Sequence, residues 1–295
     1  MSVEGPTALS QIRAVCDAAL PVVVVAAAAA LAACPHGISQ NLAADPTEMT
    51  GAVDLPATAE ACLALAERKG AEGASHEDMV LALRALERAE ELAGGTVDLW
   101  AKQARLLFLI AEPIAKKKAR VTPYLVRGEK LAARIKEAAP HRVEGHYYEA
   151  AFLGFQADVY RMQALDLLPR IVEDGERAIQ IDERFDDGGA LVLMGMVLIK
   201  APPWPLGVGD SEEGLALLRR SVEVSAYPLN RIILAKALLD QDELTEACEH
   251  LDKALLAPKV GRWATTWARH RPDAWTLWNT YRCYRQEFDP LAQPH

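Results

Sequence analysis

From residue 57 onward apolar residues recur every three or four positions, the spacing that gathers them on one face of a helix. The segments with this period are 57–69, 76–93, 97–119, 123–139, 142–166, 168–182, 188–200, 211–225, 228–240 and 243–256. No alternation of apolar and polar residues of the kind a half-buried strand needs is present. Breakers stand between the segments: Gly94-Gly95, Pro140, Asp186-Asp187-Gly188-Gly189 and Pro228. Connections this short join antiparallel neighbours, so the pattern predicts an all-α chain built of helix pairs.

The pairs carry a periodic grid. Ala247, Leu251 and Ala254 stand 33 residues after Gly214, Leu218 and Ser221, Ala178 stands 43 before Ser221, and Ile135 stands 43 before Ala178. Small residues let two helices approach closely, and the leucine between them fills the gap to the next pair. The run Leu244-Thr-Glu-Ala247-Cys-Glu-His-Leu251-Asp-Lys-Ala254 resembles the second helix of a tetratricopeptide repeat, with its A-x3-F-x2-A pattern. The signature of the first helix, W-x2-L-G-x2-Y, survives only as fragments at Trp100, Leu153-Gly154 and Gly195. The resemblance implies an α-solenoid of tetratricopeptide-like antiparallel helix pairs. Insertions of nine residues lengthen two repeats: one is the loop 201–209, and the other extends the helix 142–166.

The first 56 residues lack this pattern. Residues 18–33 form an uncharged apolar run, shorter than the roughly 20 residues a bilayer crossing needs and suited to the centre of a secretory signal. Its end, Leu31-Ala32-Ala33-Cys34, resembles the lipobox of bacterial lipoproteins. That resemblance implies cleavage before Cys34, acylation of Cys34, and a protein anchored to a membrane without spanning it. The segment before the run carries Glu4 and Asp17 beside Arg13, where such signals are usually net positive. The expected organisation is a signal peptide at 1–33, a Pro- and Gly-bearing tether at 34–56, and a repeat domain at 57–295 with an aromatic C-terminal cap.

Charge and composition narrow the function. With 32 Lys and Arg against 41 Asp and Glu, the chain carries −9, which argues against a nucleic-acid partner. Apolar residues are 51% of the chain and aromatics only 6%, so Ala, Leu and Val dominate, as helices prefer. Removal of the signal would leave Cys62, Cys248 and Cys283 as free thiols; any two could pair, and their spacing does not choose.

Two further stretches carry a narrower resemblance. Residues 181–195, with the double glycine Gly188-Gly189, and the Pro/Gly-rich turn Lys200-Ala-Pro202-Pro203-Trp204-Pro205-Leu206-Gly207-Val208-Gly209 are similar to the T-component (TatT) lipoproteins of tripartite ATP-independent periplasmic (TRAP) transporters. His146-Tyr147-Tyr148 through Phe152-Leu153-Gly154 resembles the aromatic helix of that family. The resemblance implies a non-enzymatic periplasmic helper without a cofactor. It also implies a homo-oligomer, a trimer with a central apolar pore, that docks the transporter's substrate-binding protein and passes on a small apolar ligand. Pro35 after Cys34, in place of an acidic residue, favours the periplasmic face of the outer membrane. The competing reading keeps the fold and makes the chain a tetratricopeptide adaptor for envelope assembly or secretion, with no small ligand.

Candidate sites follow. No HExxH, GxSxG, P-loop or dinucleotide-binding glycine pattern occurs, so no residue is assigned as catalytic or metal-binding. His146 with Glu149, and His250 beside Glu249 and Asp252, lack the three or four converging ligands of a zinc site. The candidate groove, pore or partner contacts are Tyr147, Tyr148, Phe152, Trp204, Trp263 and Trp267. Trp204 sits on a proline-stiffened loop that places it either on the core or at a groove mouth. Trp263, Trp267, Trp275 and Trp278 gather near the C-terminus, as a cap on the stack or as an interface. Lys116, Lys117, Lys118 and Arg120 read as the solvated C-terminal end of a helix rather than a lipid-binding patch.

Overall fold

A computed structural model describes residues 54–71, 74–258 and 264–284. The expected signal peptide, Cys34, most of the tether and Trp263 lie outside them. Among the described residues eleven α-helices follow one another: α1 (Ala59–Lys69), α2 (His76–Ala93), α3 (Val97–Ala111), α4 (Lys118–Ala138), α5 (Val143–Val159) and α6 (Ala164–Asp182). Then come α7 (Gly189–Lys200), α8 (Ser211–Val224), α9 (Pro228–Asp240), α10 (Leu244–Leu255) and α11 (Ala264–Thr280). Each packs against the next, and from α3 onward each odd-numbered helix also touches the next odd-numbered one. The result is a tetratricopeptide-like solenoid of antiparallel pairs whose odd-numbered helices form the inner layer.

The sequence accounts for the two layers. α5, α7 and α9 are hemmed in on nearly all sides, and α7, GALVLMGMVLIK, is apolar around its whole circumference. α6, α8 and α10 keep one buried stripe and one solvated face. The buried stripes hold the grid: Ile135 and Ala178, then Leu218 with Ser221, then Ala247, Leu251 and Ala254, all shielded from solvent. The two glycines of the α7–α8 pair show why the grid asks for small residues. A Cβ on Gly195 would lie 2.8 Å from the Gly214 carbonyl, and one on Gly214 would lie 2.8 Å from the Gly195 carbonyl. Either methyl would push the helices apart.

Helix starts follow their caps. The side chains of Thr58, Ser75, Thr96 and Asp210 accept from backbone N–H groups in the first turns of α1, α2, α3 and α8. Two long segments break where periodicity alone runs on. The 97–119 segment ends at Ala111, because Pro113 cannot supply the next N–H; a 3-10 turn over Glu112–Ile114 intervenes before α4. The 142–166 segment breaks at Tyr160, whose ψ of 60° leaves the helical region, and a 3-10 turn over Arg161–Gln163 leads into α6. The extra length therefore lies in two helices of 17 and 19 residues instead of one long one.

Antiparallel pairing sorts the connections onto two edges. The turns after α3, α5, α7 and α9 lie along one edge, and those after α4, α6 and α8 along the other. Cross-links confirm the first edge: Lys118 Nζ sits 4.2 Å above the Tyr160 ring, and the Thr122 and Tyr160 hydroxyls share a hydrogen bond. On the second, Arg142 donates to Asp98 at 2.9 Å, and Asn230 Nδ2 donates to the Asp187 carbonyl at 2.8 Å.

Candidate binding surfaces

The aromatic residues of α5 meet in the core. Tyr147, Tyr148 and Phe152 are all buried. Phe108 of α3 lies 6.4 Å from both tyrosine rings and 5.3 Å, edge-on, from Phe155, while Phe185 closes the other side at 5.3 Å from Tyr147. The Tyr147 hydroxyl donates to Asp186 Oδ2 at 2.8 Å. Burial, reinforced by the Asp186 charge, pushes both phenols well above the usual tyrosine pKa, so they stay neutral donors. The double glycine explains how this fits. Gly188 takes a left-handed φ of 79° to turn the chain, and a Cβ on Gly189 would lie 2.5 Å from the Tyr147 oxygen. These three aromatic candidates are thus together, packed by protein on every side named.

Beside them a charged network crosses three helices. His146 Nδ1 lies 2.8 Å from Asp174 Oδ1, and its Nε2 lies 3.0 Å from the Pro140 carbonyl. Lys136 donates to both oxygens of Asp174 at 2.8 and 2.9 Å and lies 2.9 Å from Glu149, which also accepts from Arg170 at 2.7 Å. Burial opposes the charge on Lys136, yet the two carboxylates outweigh it and hold the pKa above the usual lysine value. His146 and Glu149 are engaged with these cations and with Asp174, and among the described residues no group of three or more His, Cys, Asp or Glu is placed to hold a metal.

Trp204 stands apart. It is 86% exposed at the tip of the 201–210 loop, with Leu206 at 75%. The loop is fastened at its base, where the Gly209 N–H donates to the Pro202 carbonyl and the Asp210 N–H to the Leu198 carbonyl, both at 2.9 Å. Asp210 then caps α8 through the N–H groups of Glu212 and Glu213. The loop projects Trp204 into solvent and leaves the core to others.

The C-terminal helix has both an inner and an outer face. Trp267 is buried, Trp278 Nε1 donates to Asp252 of α10, and Trp275 stacks on Trp278 at 5.3 Å while remaining half exposed. A Cys248–Cys283 disulfide staples the end of α11 to α10, which resolves the pairing that spacing leaves open; Cys62 is a buried free thiol. A contact that periodicity gives no hint of joins the ends of the stack. Arg269 Nη1 donates to Glu112 Oε2 at 2.6 Å, and His270 Nε2 lies 3.0 Å from Glu112 Oε1, with both His270 and Glu112 buried.

No protein-family model matches the chain, and no curated protein matches it. The crystal structure of yeast Tom70 is similar at 14% identity with a TM-score of 0.45, over 79% of this chain and 49% of Tom70. The chain thus spans about half the length of that protein.

Proposed function

We propose that this chain is a lipid-anchored scaffold of the cell envelope that binds a protein partner, with the substrate-binding protein of a TRAP-type transporter as that partner. The observation that carries the scaffold reading is the stack of helix pairs closed by a stapled terminal helix, since each pair presents side chains to solvent from a rigid, repeated frame. The likeness of 181–210 to T-component lipoproteins supports the partner, and Leu31-Ala32-Ala33-Cys34 supports an anchor at Cys34 on the periplasmic face of the outer membrane. The Cys248–Cys283 disulfide fits an oxidising compartment such as the periplasm. In this reading the protein is not an enzyme and needs no cofactor, and homo-oligomers, trimers among them, remain part of the proposal.

The enclosure of Tyr147, Tyr148 and Phe152 by protein favours a second form of the reading, an adaptor for envelope assembly or secretion that handles no small ligand. Affinity capture from detergent-solubilised envelope separates the two. Co-purification of a substrate-binding protein in near-stoichiometric amount supports the transport role, whereas recovery of only assembly or secretion components supports the adaptor. Labelling cells with a palmitate analogue tests the anchor: label on the natural chain that disappears in Cys34→Ala is expected, and equal label on both would remove Cys34 from the proposal.

A further inference from the structure

Three of the four turns on the first edge, those after α3, α5 and α7, differ from the fourth, where Asp240, Asp242 and Glu243 bring negative charge after α9. Tyr160, at the end of α5, ties the start of α4 to this edge through its contacts with Lys118 and Thr122. Asp158, two residues earlier, lies in the field of Lys200 at the end of α7 and of Arg161. The stretches 116–120, 158–166 and 200–210 are therefore side by side.

Two properties coincide there. Large apolar side chains protrude from two of the three stretches: Met162 is 77% exposed and Leu165 half exposed in one, and Trp204 is 86% and Leu206 75% exposed in the other. Around them the three stretches hold six cations, Lys116, Lys117, Lys118, Arg120, Arg161 and Lys200, against three carboxylates, in a chain that carries −9 as a whole. Of those carboxylates Asp158 is partly buried and Asp210 is committed to capping α8. The fastened base of the 201–210 loop keeps Trp204 and Leu206 outward, so they have no route back to the core.

We propose that this edge docks on an anionic membrane surface, with Trp204, Leu206 and Met162 dipping into the interfacial region and Lys116, Lys117 and Arg161 facing acidic headgroups. Exposed apolar side chains on two loops, with basic residues beside them, suit a deformable lipid surface better than a shaped protein groove. Tryptophan favours the headgroup level, where its ring is buried and its N–H stays wet. Basic residues beside such tips add attraction that fades within a Debye length and with salt. This contact is separate from acylation at Cys34, and either one stands if the other fails.

The test uses the full chain carrying Cys34→Ser, so that no acyl chain can form at that position. Co-sedimentation is measured with vesicles of phosphatidylcholine and phosphatidylglycerol in equal parts, and with pure phosphatidylcholine. Binding to the mixed vesicles that weakens with added salt, and much less to the neutral ones, is expected. The double change Trp204→Ser/Leu206→Ser, and separately Lys116→Glu/Lys117→Glu, is expected to lower partitioning by roughly tenfold each. Leu256→Ser alters an equally exposed leucine at the end of α10, on the opposite edge, and is expected to leave binding unchanged. Circular dichroism confirms that each variant is folded. No pelleting with phosphatidylglycerol vesicles, or equal loss for Leu256→Ser and the Trp204 variant, overturns the proposal.

Discussion

At the scale of single residues, the aromatic core depends on one absent methyl group. Gly189 opens α7 directly beneath the Tyr147 phenol, and a Cβ there would sit 2.5 Å from the hydroxyl oxygen and 2.8 Å from the ring carbon bearing it. Gly189→Ala gains up to about 1 kcal/mol of helix propensity. The overpacking it causes costs about 1–3 kcal/mol, because Tyr147 is held by Asp186 and by the rings of Phe108, Tyr148 and Phe185. A net loss on the order of 1 kcal/mol in urea denaturation is expected. Tyr147→Phe removes the nearest clashing oxygen, so the two changes should be non-additive in a double-mutant cycle; full additivity would mean that the phenol yields freely. The sequence marks the double glycine and the tyrosine separately. Their juxtaposition is a tertiary fact that neither local pattern contains.

A second residue-scale effect is a pH response at His250. It lies on α10 with Arg231 of α9 at 3.4 Å and Glu246 at 3.7 Å, and Lys253 and Glu249 are also near. Burial, then the Arg231 charge, lowers its pKa below the usual histidine value. A folded-state pKa below the unfolded one makes protonation favour unfolding. This stability is present above about pH 6.5 and is lost as pH falls through the folded pKa. Desolvation also lowers the pKa of His76, which adds a loss of the same sign as pH falls. Thermal melts from pH 8 to pH 5 should show a falling midpoint that flattens in His250→Asn; an unchanged slope in that variant would remove His250 as a cause.

At the scale of helices, the positions of most elements are legible, and the misses are local competitions that periodicity cannot see. Each segment of the period corresponds to a helix, since an apolar face of that spacing has no other way to be buried. Segments 97–119 and 142–166 overrun because their apolar spacing continues through Pro113 and Tyr160, where a missing N–H and a tertiary contact end the helix. The disulfide is the opposite case: Cys248 and Cys283 are visible, but three thiols allow three pairings, and only the return of α11 along α10 selects one. The bridge closes a loop across 35 residues, so its loss costs about 3–4 kcal/mol in the chain-entropy account. Cys248→Ser/Cys283→Ser should lower the midpoint and raise amide exchange in α11 first, with α1 to α6 unchanged; equal exchange throughout would show that α11 is not held by this staple.

At the scale of the molecule, the candidate surfaces fall into places of unlike character. Tyr147, Tyr148, Phe152 and Trp267 are interior, Trp204 projects from an edge, and sequence reasoning, which grades a residue by type, cannot tell such positions apart. A solenoid also ordinarily has contacts only between neighbouring repeats, so its pairs can unfold in sequence. Here Arg269 and His270 reach Glu112, 157 and 158 residues earlier in the chain, and bind it in a buried site. The carboxylate couples the first pairs to the last. Glu112→Gln keeps the size and one acceptor but leaves Arg269 without its countercharge, and losing one partner of a buried ionic contact costs about 3–5 kcal/mol. Arg269 is 30% exposed and regains some water, which brings the expected loss to roughly 2 kcal/mol. The form of the transition is the sharper readout. The natural chain should unfold as one cooperative unit by circular dichroism and calorimetry, and Glu112→Gln should separate an early transition of α9 to α11 from a later one of α1 to α8. A single transition shifted as a whole would mean that packing along the stack, through α7 and its two apolar faces, already couples the ends without this contact.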